Sequence, residues 1–153
     1  MASRTGRPDS PPDLGVLAGR LLSAVQRDLF ATLAEKGFAD LQPRHGTVLA
    51  HLRREGVRAT DLSRASGVHK QVIGTVVDEL ERLGYVERRP DPADRRAKLI
   101  VPTGRGLDQM RAADTFMTAM ERRHARRLGP DAYARFKALL DDVAEHQRRK
   151  ASR

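Results

Sequence analysis

Lys70, Gln71, Gly74, Thr75 and Asp78 stand one, three and four residues apart, a spacing that gathers side chains on one helix face. Ile73, Val76, Val77 and Leu80 fall on the other. Lys and Gln near a helix N-terminus can bond base edges in a DNA major groove, Lys to guanine and Gln to adenine. Gly74 lowers helix propensity by roughly 1 kcal/mol relative to Ala. That residue has two readings, close approach to a groove or tight packing against a neighbouring helix. Downstream, Arg88, Arg89, Arg95, Arg96 and Lys98 lie on two short alternating stretches and the turn between them. Cations on a protruding hairpin suit phosphates or a narrow minor groove. Asp91 and Asp94 have the wrong sign for DNA. They are expected to bond backbone amides and Arg side chains, so that the hairpin tip holds one shape.

Other chemistries lack their residues. There is no Cys, which excludes disulfides, thiolate metal sites and cysteine nucleophiles. The five His show no paired metal spacing, so neither a metal nor a cofactor is expected. His45, His51 and Glu35 are acid–base candidates in principle. No nucleophile–base–orienter set or phosphate loop accompanies them, so an enzyme is not expected. No apolar run approaches the roughly 20 residues that span a bilayer, and Met1 to Asp13 has no apolar stretch behind its arginines. A cytoplasmic protein without membrane attachment is therefore expected. The 153 residues suffice for one domain, and their net charge of +9 favours a polyanionic partner.

Along the chain, residues 1–13 are rich in Pro and Ser and read as a flexible tail. Leu14, Leu17, Leu21, Leu22, Val25, Leu29 and Leu33 then mark one face of a long helix ending near Gly37. A second helix is expected from Pro43 to about Gly56. Thr60 is expected to cap a short third helix, which Ser66-Gly67-Val68 turns into a fourth from about His69 to Leu83, with Val72 among its apolar residues. Strands are expected over 85–89 and 97–101, with turn chemistry over 90–96. Thr103 can cap a fifth helix carrying Leu107, Met110, Met117 and Met120. Gly129-Pro130 separates it from a sixth, which carries Tyr133, Phe136, Leu139, Leu140 and Val143 and frays from Gln147 into a basic tail, 149–153. The fold class is mainly α with a small β-ribbon, six helices in all.

The turn Ala65-Ser66-Gly67-Val68 and the run from Leu80 to Arg89 resemble the MarR family of winged-helix regulators. So does the wing segment Pro90-Asp91-Pro92-Ala93-Asp94-Arg95-Arg96, which is similar to that family's Asp-x-Arg wing signature, and Thr103 with Gly106 resembles its Thr-x-x-Gly helix start. The resemblance covers residues 14–148. It implies a winged helix-turn-helix, 41–101, with a two- to three-stranded wing, embedded between dimerisation helices, 14–37 and 103–148. It further implies a homodimer with recognition helices in successive major grooves and wings in the flanking minor grooves. Many members are repressors released by small aromatic or phenolic ligands. The apolar stripes on the terminal helices agree with a dimer independently. His69 stands where the family usually has Ser, Thr or Asp as a cap, Thr75 where many members have Arg, and Pro102 where Leu is usual. The lack of Cys removes thiol-based sensing.

The expected function is a transcriptional regulator that binds double-stranded DNA as a homodimer. Lys70, Gln71, Gly74, Thr75, Arg88, Arg95 and Arg96 are its contact candidates. Arg20, Arg44 and His45 are candidates for a small-molecule effector, an Arg pairing a carboxylate and a His answering a phenol. The alternative is a basic architectural protein without operator specificity.

Overall fold

The Asp13 carboxylate accepts from the Val16 amide at 2.9 Å and caps α1, Leu14–Glu35. The computed structural model describes residues 11–151, so most of the expected tail at 1–13, and the last two residues of that at 149–153, lie outside the described residues. Two compact units divide after Met110. The first holds α1, a single 3-10 turn (Pro43–His45), α2 (Gly46–Leu49), β1 (Val57–Arg58), α3 (Ala59–Ser66), α4 (Lys70–Arg82), β2 (Val86–Asp91) and β3 (Asp94–Pro102). It also holds the start of α5 (Gly104–Leu128), whose remainder belongs to the second unit with α6 (Pro130–Ala151).

The first unit is built around apolar side chains that the helical and strand periods bring inward: Leu33, Val48, Leu62, Ile73, Leu80 and Ile100 are all nearly or fully buried. β1, β3 and β2 form an antiparallel sheet in that order, with Val57 opposite Ile100 and Val86 opposite Pro102. β1 is too short to show a period in the sequence, and it moves the start of α3. Pairing with Leu99 holds Arg58 extended, so the helix begins at Ala59 and Thr60 lies in its first turn rather than capping it. The expected second helix shrinks to the 3-10 turn and the four residues of α2, because the chain must leave by Gly56 (φ +95°) to enter β1.

The hairpin is longer than expected. β2 and β3 continue through Pro90, Arg95 and Arg96 to a two-residue turn, Pro92-Ala93. Pro90 is tolerated because β2 is an edge strand. Thr103 caps α5 as expected. Its hydroxyl donates to the Gly84 carbonyl at 2.6 Å and accepts from the Gly106 amide at 3.1 Å. Gly106 must be glycine, since a Cβ there would come inside 3.0 Å of the Tyr85 carbonyl oxygen and within 3.2 Å of Pro102 Cβ.

Much of the stripe read on α1 faces outward: Leu14, Leu17, Leu21 and Leu22 are exposed, while Leu33 is buried. In the second unit, Phe136, Leu139, Leu140 and Val143 of α6 are exposed as well. The two helices of that unit are tied by Lys137 and Glu121 at 2.8 Å and by the His124 and Tyr133 rings, 6.0 Å apart. α6 does not fray at Gln147 but continues to Ala151, so the first three residues of the expected basic tail are helical.

Candidate nucleic-acid interface

The turn between α3 and α4 is fixed by its own side chains. Gly67 is left-handed (φ +71°), a conformation that favours glycine. Ser63 Oγ donates to the Val68 carbonyl at 2.7 Å, and Ser66 Oγ accepts from the Val68 amide at 3.2 Å. His69 then supplies the cap that Ser, Thr or Asp would provide elsewhere: its Nδ1 accepts from the Gln71 amide at 3.2 Å. α4 buries Ile73, Val76, Val77 and Leu80 and exposes Lys70, Gln71, Thr75 and Asp78. Thr75 Oγ1 donates to the Gln71 carbonyl at 3.2 Å and, the residue being exposed, can still accept a hydrogen bond. A Cβ on Gly74 would meet nothing within 4 Å, so close packing is not the reason for that glycine. Val72, one of the apolar residues of this helix, is half exposed at 50% beside Gln71.

α4 is anchored from behind. Glu79 Oε2 receives Arg44 Nε at 2.8 Å and lies 2.9 Å from Nε2 of the buried His45. His45 Nδ1 accepts from the Gln42 amide at 3.0 Å, so Nε2 carries the proton and donates to Glu79. Both ring nitrogens are thus occupied inside the protein. Arg44 remains half exposed beside Glu79, and Arg20 is exposed on α1. The hydrogen bonds from Arg44 and His45 hold the Glu79 carboxyl below its ordinary 4.5. Its contribution to stability is complete above that ordinary value and is lost as the pH falls through the lowered one. The melting-temperature gap between the natural chain and Glu79→Gln is therefore expected to be full at about pH 6 and smaller at about pH 3. Equal gaps in thermal melts at both pH values contradict this.

The wing has two grades of arginine. Arg88 turns back on α4, pairing with Asp78 at 2.6 Å and with Glu81, and Arg89 pairs with Glu87. Arg95, Arg96 and Lys98 are exposed on β3. The tip is set by its acids: Asp91 accepts from the Ala93 amide at 2.8 Å and from Arg58 Nε at 2.7 Å, and Asp94 accepts from the Arg96 amide at 3.0 Å. The Ala93 amide and the Arg58 guanidinium hold the Asp91 carboxyl below the usual carboxylate range. Arg58, 33 residues from Asp91 in the chain, was not legible as a wing residue.

A second clamp joins the wing's base to α5. Tyr85 Oη donates to Asp40 at 2.6 Å, and Arg105 lies 4.3 Å over the Tyr85 ring while bonding both Asp40 oxygens. Burial and the Asp40 carboxylate push the Tyr85 hydroxyl up, so it stays protonated. Among the described residues no group of three or more His, Cys, Asp or Glu could hold a metal ion, and no helix is long and apolar enough to cross a membrane. A hollow of about 250 Å³ beside α3, lined by His51, Arg53 and Asp61, is smaller than the roughly 300–1,000 Å³ of most small-molecule sites.

A helix-turn-helix with a capped, outward-facing second helix, followed by a three-stranded sheet with an exposed cationic hairpin, defines a winged-helix DNA-binding module. Residues 39–97 match the MarR family. CouR from Rhodococcus jostii RHA1, bound to p-coumaroyl-CoA, is 29% identical with a TM-score of 0.71, over 86% of this chain and 92% of that one. A MarR-family transcriptional regulator from Rhodococcus sp. RHA1 is 28% identical with a TM-score of 0.68, over 86% and 94%. Apo MarR from E. coli shares the fold at 23% identity and a TM-score of 0.63, over 88% and 98%. No curated protein matches. The match over residues 39–97 and the fold shared with these solved structures support a MarR-family winged-helix regulator.

Proposed function

We propose that this regulator is a cytoplasmic homodimer that represses transcription from a palindromic operator and is released by a small aromatic or phenolic effector. The observation that carries the DNA-reading role is α4: four apolar residues lock one side into the core while Lys70, Gln71, Thr75 and Val72 stand exposed beside a capped N-terminus. Lys70 and Gln71 read base edges, Thr75 offers an acceptor, and Val72 meets a thymine methyl group. Gly74 lets the backbone come close to the groove. Arg95 and Arg96 reach the flanking minor groove, with Asp91 and Asp94 shaping the tip, and Arg88 supports α4 from the wing. Residues 41–101 form the reading module.

Dimerisation through 14–37 and 103–148 is supported by the exposed apolar side chains of α1 and α6, which cost free energy in water unless covered. The effector reading is supported by CouR, whose bound p-coumaroyl-CoA carries a phenolic acyl group. Arg44 and Arg20 keep guanidinium groups at the surface for a ligand carboxylate or phosphate, while His45 serves the fold.

The test is a footprint on sequences selected from random DNA by the purified chain. Protection of a short inverted repeat, lost on adding a phenolic acyl thioester, supports the reading. Broad protection without sequence preference favours an architectural protein. Gln71→Ala is expected to cost about 1–3 kcal/mol on the selected site and to relax preference at one base pair. Equal losses on selected and random duplexes would place Gln71 on the backbone instead.

A further inference from the structure

Residues 111–153 contain eleven Lys and Arg against six Asp and Glu, a net +5 of the chain's +9. The recognition helix and the wing both belong to residues 1–110. More than half of the excess positive charge therefore lies outside the elements that read DNA. Much of it is concentrated at one place: Arg122, Arg123, Arg126 and Arg127, near the end of α5, are all exposed. At 100° per residue the four fall within a sector of about 140°, as two rows of i,i+4 neighbours. They form a single cationic face.

Most wing and core-edge arginines have an acid beside them: Arg44 has Glu79, Arg58 has Asp91, Arg88 has Asp78 and Arg105 has Asp40. The side chains of the four arginines of α5 have no hydrogen bond or ion pair with any described residue. No acidic residue of α5 stands three or four positions from any of them, and neighbouring Glu121 is engaged by Lys137. Like charges at i,i+4 repel, so the arrangement does not support the helix by itself. The helix dipole explains cations in the last turn, where Arg126 and Arg127 sit, but not Arg122 and Arg123 upstream. Guanidinium groups stay charged at every physiological pH and match phosphate oxygens with their planar forks.

We propose that this face is a second contact for duplex DNA, made to the phosphate backbone and independent of sequence. Duplex DNA presents one negative charge per about 1.7 Å of its axis, and the four arginines span about 7.5 Å of helix, so several phosphates are within their compass at once. The residues between them are His124 and Ala125, which give no large apolar side chain to insert into a lipid surface. The inference rests on the chain being a DNA-binding protein, and its test separates the two.

The experiment measures binding of the full chain to a random-sequence duplex and to its selected operator, from about 50 to 200 mM salt. It compares the natural protein with the quadruple variant R122Q/R123Q/R126Q/R127Q and with the corresponding quadruple Lys variant. A Gln variant that no longer neutralises two to four phosphates is expected to show a slope of log K against log salt smaller by about 1.8 to 3.6. Its affinity for the random duplex at low salt should fall about tenfold or more, while preference for the operator over random DNA is kept. The Lys variant should keep the natural slope. An unchanged slope in the Gln variant overturns the proposal and leaves operator reading by α4 standing. A natural chain that binds no duplex overturns both. A Lys variant as impaired as the Gln variant overturns it, because the fold rather than the charge was then removed. So does a Gln variant that sediments as a smaller species, which would assign the arginines to contact between copies. Binding to anionic vesicles that depends on the four arginines, with the duplex slope unchanged, overturns it in favour of a membrane.

Discussion

Gly106→Ala is expected to destabilise the chain by about 3 kcal/mol or more, which for a protein of this size lowers the melting temperature by roughly 6–12 °C. The start of α5 and the end of the recognition helix are sewn together at this point. Thr103 donates its backbone amide to the Tyr85 carbonyl at 3.0 Å and its hydroxyl to the Gly84 carbonyl at 2.6 Å. Gly106 lies directly over the same Tyr85 carbonyl, and the nearest atom a methyl group would strike is that backbone oxygen, which cannot swing aside as a long side chain can. Relief would require pulling Thr103 off Gly84 or shifting Tyr85, whose hydroxyl and ring are held by Asp40 and Arg105. The cost falls on the fold and reaches DNA binding only through it. Thermal melts followed by circular dichroism check this. A melting temperature within about 2 °C of the natural chain would show that the helix start can drift away from the sheet at little cost.

The second large effect concerns the wing tip. Changing Arg95 and Arg96 together to Ala is expected to weaken binding on every duplex and to reduce the salt slope by up to about 1.8, or about 0.9 for each phosphate that is no longer neutralised. Both side chains are exposed on β3, and neither has an acidic partner among the described residues, unlike Arg88 and Arg89. The melting temperature should hold, since the tip buries little apolar surface. Asp91→Ala should behave differently. It removes the acceptor for the Ala93 amide and for Arg58, so the tip loosens while Arg95 and Arg96 keep their charges. Affinity then falls with little change in salt slope. Electrophoretic or fluorescence titrations across a salt series separate the two variants. If the double Arg variant binds its operator with unchanged affinity and slope, the hairpin is solvated and the minor-groove role fails.

The features legible in the sequence are the local ones. The buried face of α4 follows from the helical period of Ile73, Val76, Val77 and Leu80. The turn before it follows from Gly67, and the start of α5 from Thr103. Each is decided by residues within a few positions of one another, so backbone preference and hydrogen-bond geometry are enough. Even the departure at His69 was a local matter, since the imidazole reaches an amide in the first turn as a Ser hydroxyl would.

What only the tertiary structure decided is which distant groups meet. Arg58 and Asp91 are 33 residues apart, His45 and Glu79 are 34, and Arg105 and Asp40 are 65. With 29 cations and 20 anions in the chain, spacing cannot say which guanidinium reaches which carboxylate. The choice depends on β1 pairing with β3 and on α4 lying against the turn that carries His45. The same holds for the hairpin. Pro90 reads as a breaker until β2 is known to be an edge strand, where its missing amide costs the sheet nothing. Local chemistry determined that there would be an amphipathic helix after a tight turn, and a charged ribbon. Long-range packing determined which arginines were left facing outward, because a cation that has found a buried or half-buried acid has fewer guanidinium donors left for a phosphate.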